Sequence, residues 1–438
     1  MPRVAWPWVT RRRRARTRAR RRSSGRGLAQ RGAQGGPSGR SRRGATNRPE
    51  AGVRLSAACY GGRVLALQAL TPEELSQALP ELRLAEARRI VSSLHRSGRL
   101  EAAIPQVRRS ALSAVRAATH VPGLERVSLS ESALDPFVKL VLRVPGGDLI
   151  ETVRIPLERP GRFSICVSAQ VGCALACAFC ATGKLGLRRN LAVWEIVEQV
   201  REAASTLGAG QRVHGVVFQG MGEPLANLDQ VLGAIRVLNE PSGLAIDARN
   251  ITVCTAGLPS GIRRLAREAP KVRLGLSLGS ALPEVRGRLM PITNAHSFDA
   301  VMEAAVEHAR LTRRAPMWAL TLLAGVNDDE ETARRLADRI AWFTEQAGVR
   351  PRLSLIPYNA TSLGEGDPFS RSPQAVEERF REVLRDRGVG SHRRYSGGGD
   401  VGAACGQLAA RAQGVSGPGR ERQGPIDRGA IGKAAIGA

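Results

Sequence analysis

Apolar and polar positions along this chain change their period several times, and the changes divide it. Residues 1–50 are rich in Arg, Gly and Ser with no apolar periodicity, which predicts a disordered extension over about 1–60. From Val64 to Val121 apolar residues recur at helical spacing. Thr71 stands as a cap before Pro72-Glu73-Glu74-Leu75, and further turns run through Leu84–Leu94 and Ile104–Val115. This predicts a small helical domain over 61–135. Strand-like runs at Phe137–Val144 and Leu149–Ile155, around Pro145-Gly146-Gly147-Asp148, predict a hairpin.

After Phe163 buried-strand runs alternate with amphipathic helices. Strands are predicted near 163–168, 213–219, 250–254, 272–278, 316–324 and 352–356, and helices near 193–207, 228–239, 298–312, 329–347 and 373–387. Six βα units are too few for a closed eight-stranded barrel, so the fold class is α/β, a partial (β/α)6 barrel open on one side, spanning 136–410. Residues 411–438 read as a disordered tail. In such an array chemistry belongs on the loops after the strands: the cysteine-rich loop, Gly220–Pro224, Cys254–Gly257, Ser277–Ser280 and Pro357–Asn359.

Composition changes this picture little. A chain of 438 residues, 42% hydrophobic, can bury a full core. The net charge of +27 is concentrated at the ends: residues 1–50 hold sixteen Arg and one Glu, and residues 51–410 carry +9. That core is compatible with an RNA partner without proving one. Only four of the 66 basic residues are Lys, so a general bias towards Arg accounts for part of the charge. The basic extension is either an RNA-contacting arm or dispensable. Val4–Val9 is too short and precedes the Arg block, which fits neither a signal peptide nor a twin-Arg signal, and no apolar run is long enough to span a membrane.

Seven cysteines, three of them within eight residues, argue for metal ligation in a reducing compartment, hence the cytoplasm, over a disulfide framework. Cys173, Cys177 and Cys180 form C-x-x-x-C-x-x-C. Three thiolates can hold three irons of a 4Fe-4S cluster and leave the fourth iron open to chelate the amino and carboxylate groups of S-adenosylmethionine, since such clusters otherwise take four Cys. Structural zinc is the alternative, but it needs a fourth ligand, and none of the six His lies near the triplet. Gly220-Met221-Gly222-Glu223-Pro224 follows the apolar run Val216–Phe218. Its glycines allow a close backbone approach, and Glu223 can accept a hydrogen bond from an ammonium group.

With these motifs, Cys166-Val-Ser-Ala-Gln-Val-Gly-Cys173, Ile356-Pro357-Tyr358-Asn359 and Ala403-Ala404-Cys405-Gly406-Gln407-Leu408, residues 60–410 resemble the RlmN/Cfr family of radical S-adenosylmethionine methyltransferases, which methylate an adenine carbon in large-subunit ribosomal RNA. The resemblance implies a radical-SAM barrel. It also implies two S-adenosylmethionine molecules per turnover, 23S ribosomal RNA and also transfer RNA adenosine 37 as substrates, a flavodoxin-type electron donor and a monomer. Carbon 2 is the implied target, with Cfr-type methylation at carbon 8 as the alternative.

The resemblance gives Cys405 the methyl from one S-adenosylmethionine, and a radical made from a second removes hydrogen from that methyl. The carbon radical adds to adenine, and Cys166 releases the adduct by a transient disulfide. The detour has a physical reason, because the electron-poor amidine carbon of adenine cannot attack a sulfonium methyl as a nucleophile. Glu151, in Ile150-Glu151-Thr152-Val153, matches the proposed proton acceptor. Without the resemblance Cys405, set among small residues, reads as an apolar filler. Cys59 matches nothing and reads as structural.

Cofactor contacts carry over to Gly222, Glu223, Ser277, Leu278 and Asn359. Three departures touch this shell or the Cys405 approach. Cys254 stands where the family has Ser, Gly279 where it has His, and Gly397 where it has an Arg for which Arg393 or Arg394 can substitute. They motivate a rival of another class, an iron–sulfur RNA-binding protein that has lost catalysis; retention of both Cys166 and Cys405 argues against it.

Overall fold

A computed structural model describes residues 64–361 and 366–409. The two predicted disordered ends and Cys59 lie outside the described residues.

The chain begins with strand β1 (Leu65–Ala66) and helices α1 (Pro72–Ala78), α2 (Leu84–Ser97) and α3 (Arg109–Ala118), then β2 (Thr119–His120), which pairs in parallel with β1. Thr71 caps α1 as expected: its hydroxyl accepts from Glu74 N at 3.2 Å, and Glu74 Oε2 accepts from Thr71 N at 2.9 Å. The unit has its own core, in which Leu67, Leu75, Ile90, Val91, Leu94 and Val115 are fully buried. Glu86 ties two helix starts together. One carboxylate oxygen accepts from Arg83 N, and the other from Arg108 N and Nε at 3.0 and 2.9 Å.

Strands β3 (Glu125–Glu131), β4 (Val138–Arg143) and β5 (Leu149–Pro156) form an antiparallel meander leading into β6 (Arg162–Val167). The antiparallel ribbon β7 (Gln170–Cys173) and β8 (Gly186–Asn190) follows, and then the regular part of the fold: α4 (Val193–Ala204), β9 (Arg212–Phe218), α5 (Leu228–Asn239), β10 (Ile251–Thr255), α6 (Pro259–Glu268), β11 (Arg273–Ser277), α7 (Pro283–Leu289), α8 (Phe298–Thr312), β12 (Met317–Leu322), α9 (Glu330–Ala347), β13 (Arg352–Pro357), α10 (Gln374–Asp386) and β14 (Ser391–Arg393).

The main sheet runs β14-β13-β12-β11-β10-β9-β6-β5-β4-β3. The six expected parallel strands are β6 and β9–β13, in chain order, and β14 adds a short seventh. β3 and β14 are its edges, so the array is an open partial barrel. Parallel strands covered on both faces read as continuous apolar runs, and β10 is buried at all five positions. Asp329 and Ser297 cap α9 and α8, accepting from Thr332 N at 2.8 Å and Ala300 N at 3.2 Å, which sets each helix to point back across the sheet.

The β7–β8 ribbon depends on backbone that only glycine supplies. Gly172 has φ +74°, and a Cβ there would strike the carbonyl oxygen of Gly186 across the ribbon. Gly172→Ala should therefore lower the thermal midpoint and the iron content together. Gly186→Ala, whose Cβ meets nothing within 4 Å, should cost only the backbone strain of its φ 69°, ψ 169° conformation, about 1–3 kcal/mol, without a clash.

Arg108 holds the Glu86 carboxyl down at about 2, from an ordinary value of 4.5. A depressed acid stabilises the fold above its unfolded value and loses that contribution as pH falls through the folded one. The thermal midpoint of Arg108→Met should accordingly lie below wild type at neutral pH, with the gap narrowing as pH drops from 4.5 towards 2.

Candidate active site

Loops at the carboxyl ends of the parallel strands line a cleft of about 1000 Å³, counting the space it opens to solvent. All three triplet cysteines line it, with Gly222, Glu223, Cys254, Ser277, Gly279 and Cys405. Four expected site residues do not line it: Cys166, Leu278, Asn359 and Glu151.

Cys173 closes β7, and Cys177 and Cys180 follow in the loop to β8. Ala178 N donates to Leu289 O at 2.9 Å and Cys180 N to Cys177 O at 3.1 Å, so the loop is folded onto α7. Burial pushes the Cys173 thiol up to about 11, and Cys177 is raised further by burial and by its two neighbours. Three half-buried thiols that repel one another when ionised are suited to a metal centre that takes their negative charge. The buried guanidinium of Arg286, which donates to Ala256 O at 2.5 Å, is a further positive charge beside Cys177. Among the described residues no three Cys, His, Asp or Glu side chains are grouped to hold a single metal ion.

The Gly220–Pro224 loop is sewn to the segment after β6. Met221 N donates to Ser168 Oγ at 3.0 Å, Ala169 N to Met221 O at 2.8 Å and Glu223 N to Gln170 Oε1 at 2.8 Å. Gly222, at φ +94°, lies so close to Gln170 that a Cβ would sit 2.5 Å from its side chain. The Glu223 carboxylate is buried in the cleft wall, where Leu225 N and Ala256 N donate to its two oxygens at 3.0 and 2.9 Å. Burial raises its pKa, and no basic side chain acts on it. A buried carboxylate held by amides and lacking a cation suits an arriving ammonium group.

Each departure has close neighbours. Gly279 leaves its space to Met290: a Cβ there would lie 2.5 Å from the thioether sulfur, which lines the cleft in place of an imidazole. A Cβ on Gly397 would run into the Asp135 carboxylate and approach the Phe137 ring to 2.6 Å, so no Arg fits there without rearrangement. Cys254, on β10, packs over Gly275 of β11, where a Cβ would come within 2.7 Å of its sulfur.

Cys405 sits on a segment clamped from three sides. Ala181 N of the cluster loop donates to Gly406 O at 2.9 Å, and Thr182 Oγ1 donates to Leu408 O at 2.5 Å. Asn359 Nδ2 donates to Cys405 O at 3.2 Å and to Ser396 Oγ at 2.9 Å. Glu151, on β5, accepts from Ala409 N at 2.8 Å and pairs with Lys139 at 3.3 Å. Cys166, buried on β6, and Cys254 are both raised to about 12, mainly by burial. Gln219, Met290 and Arg286 were not singled out by the sequence. Gln219 directly follows β9 and abuts the Gly220 motif, a position that could have flagged it; Met290 and Arg286 carry no such signal.

Residues 167–337 match the model of the Radical SAM superfamily. A probable RNA methyltransferase of Sorangium cellulosum is 56% identical over 388 residues, covering 84% of this chain and 98% of that protein. A dual-specificity RNA methyltransferase RlmN of Syntrophobacter fumaroxidans is 42% identical, over 66% of this chain and 82% of that one. The crystal structure of a radical SAM methyltransferase from Sphaerobacter thermophilus superposes with a TM-score of 0.71 at 34% identity, covering 79% of this chain and all of that one. With the cysteine-lined cleft, these similarities establish that the chain belongs to the RlmN/Cfr-like family of radical S-adenosylmethionine RNA methyltransferases.

Proposed function

We propose that this enzyme methylates carbon 2 of an adenine in 23S ribosomal RNA, and adenosine 37 of transfer RNA, with Cys405 carrying the methyl group. The observation that carries this reading is the shared cleft: Cys405 lines the same cavity as Cys173, Cys177 and Cys180, and its segment is bonded to their loop. Relatives named dual-specificity RNA methyltransferase support the two substrates.

Cys173, Cys177 and Cys180 hold the 4Fe-4S cluster. Glu223, with Gly222, Cys254, Ser277 and Gly279, forms the S-adenosylmethionine shell, and Asn359 holds the Cys405 backbone beside it. When bound, the cluster and two S-adenosylmethionine molecules per turnover supply an electron, a methyl group and a hydrogen-abstracting radical. The cleft walls keep water from that chemistry. Cys166 takes the Cys405 sulfur into a disulfide as the RNA leaves. Glu151 accepts the adenine proton once Ala409 N has released its carboxylate, which requires the Cys405 segment to shift. Exposed arginines of the helical unit, Arg83, Arg96, Arg109 and Arg116, contact RNA phosphates. A flavodoxin-type protein delivers the electron to a cytoplasmic, monomeric enzyme; no helix among the described residues is long and apolar enough to cross a membrane.

The test is mass spectrometry of anaerobically reconstituted, reduced protein with S-adenosylmethionine and a ribosomal RNA fragment. Wild type should yield 2-methyladenosine and 5′-deoxyadenosine, Cys405→Ala no methylated RNA, and Cys166→Ala a persistent protein–RNA adduct. Release of 8-methyladenosine overturns the carbon assignment. Formation of 5′-deoxyadenosine without methyladenosine overturns the substrate, and neither product from an intact cluster overturns catalysis.

A further inference from the structure

Among the described residues Leu134 and Tyr395, 78% and 60% exposed, are the most exposed large apolar or aromatic side chains. They lie far apart in the chain, yet one carboxylate brings them together. Asp135, next to Leu134, accepts on Oδ2 from the Tyr395 hydroxyl at 2.8 Å and from Gly398 N at 2.9 Å. Its Oδ1 accepts from Phe137 N at 3.1 Å. Asp400 returns the link, accepting from Ser132 Oγ at 2.7 Å and from Ala133 N at 2.9 Å. The turn between β3 and β4 is thus laced to the segment after β14, and β3 and β14 are the edges of the open sheet.

Tyr395 is held at this seam without being covered. Asp135 fixes its hydroxyl, and the Phe137 ring meets it in a T-shaped contact with centroids 6.1 Å apart. A ring oriented at two points loses little further freedom when a flat partner settles on it. The next residue ties the ring to the site: Ser396 Oγ accepts from Cys405 N at 3.3 Å and from Asn359 Nδ2 at 2.9 Å. Cys405 lines the cleft and Tyr395 does not. The ring therefore stands outside the cleft on the same short segment that positions the thiol within it.

A base that enters the cleft to reach Cys405 must leave its stack, and its neighbour in the strand then loses a stacking face. Aromatic side chains supply such faces to unstacked RNA bases. We propose that Tyr395, with Leu134 beside its Asp135 anchor, is the platform on which the nucleotide next to the target adenine stacks. The proposal rests on the RNA methyltransferase reading, in which an adenine meets Cys405. Asp135 is the positioning residue: it holds the ring by its hydroxyl and, with Phe137, packs against Gly397 at the same seam. The platform recognises a π face, so it tolerates any neighbouring base.

The experiment uses full-length, cluster-loaded, reduced protein with S-adenosylmethionine and a ribosomal RNA fragment. Tyr395→Leu should lower kcat/KM for the RNA about tenfold. Tyr395→Phe keeps the ring, loses the bond to Asp135 and should retain most of the activity. Methylation of Cys405 without RNA, read from the mass of its peptide, should be unchanged in both variants. In Tyr395→Trp the added indole emission should be quenched as the RNA binds, judged against the same titration of wild type. An unchanged kcat/KM in Tyr395→Leu overturns the proposal, as does an indole that RNA leaves unquenched. Equal losses in Tyr395→Phe and Tyr395→Leu also overturn it, because the bond to Asp135 and not the ring is then what matters. A matching loss of Cys405 methylation overturns it as well, since it reports a disturbed segment. If wild type methylates no RNA, the methyltransferase reading fails for that fragment, while the indole titration still decides whether bases stack at position 395.

Discussion

The hydrogen bonds from Ala181 N to Gly406 O and from Thr182 Oγ1 to Leu408 O join two segments more than two hundred residues apart. One bears the three closely spaced thiols and the other Cys405. Each bond is worth only about 1 kcal/mol net, yet together they set which thiols share a cleft. The loop can offer these donors because the β7–β8 ribbon and the contact of Ala178 N with Leu289 O hold it against α7. The Cys405 segment is held in turn by Asn359 and Glu151 at either side. Ala403 and Leu408, on either side of Cys405, are also buried in the main hydrophobic core, so the segment is anchored before and after the half-buried thiol.

The six main strands were legible because burial on both faces leaves short β-branched and leucine-rich runs that no surface strand needs. The hairpin at β4 and β5 was marked by its Pro-Gly-Gly-Asp turn. Elements whose reason lies elsewhere escaped. β14 is three residues, Ser391-His392-Arg393, with two exposed, and exists because β13 offers it an edge. β3 is a mostly exposed edge strand with weak apolar alternation. β7 and β8 pair through a glycine bulge that breaks period-two patterning. The helix α7 has only seven residues, too few for a period to appear.

In the site, sequence revealed residues whose chemistry is concentrated in the chain and missed those that matter through space. The triplet is local, so its spacing alone predicts a cluster. Asn359 was read as a cofactor contact from its motif, but its side-chain amide holds the Cys405 backbone, a relation between two loops with no local signature. The Gly279 and Gly397 departures looked like lost function when each was read alone. Met290 and the Asp135–Phe137 pair pack against those glycines, so a side chain at either position would have to displace them, a relation through space that the chain order hides.

The charges of the cleft are sorted by position. Arg286 lies beside Cys177 at the metal end, and Arg394 among the sulfurs at the Cys405 end. Glu223 stands apart from both cations, acts against the ionisation of Cys173, Cys177 and Cys254, and is itself held by amide donors. A buried carboxylate so placed is relieved by a proton, which burial favours, or by a cationic guest in the cleft. That guest relieves Glu223 and, through it, the thiols that Glu223 opposes. One carboxylate that acts on both sets of sulfur therefore couples the charge of the thiols to whatever engages its own oxygens.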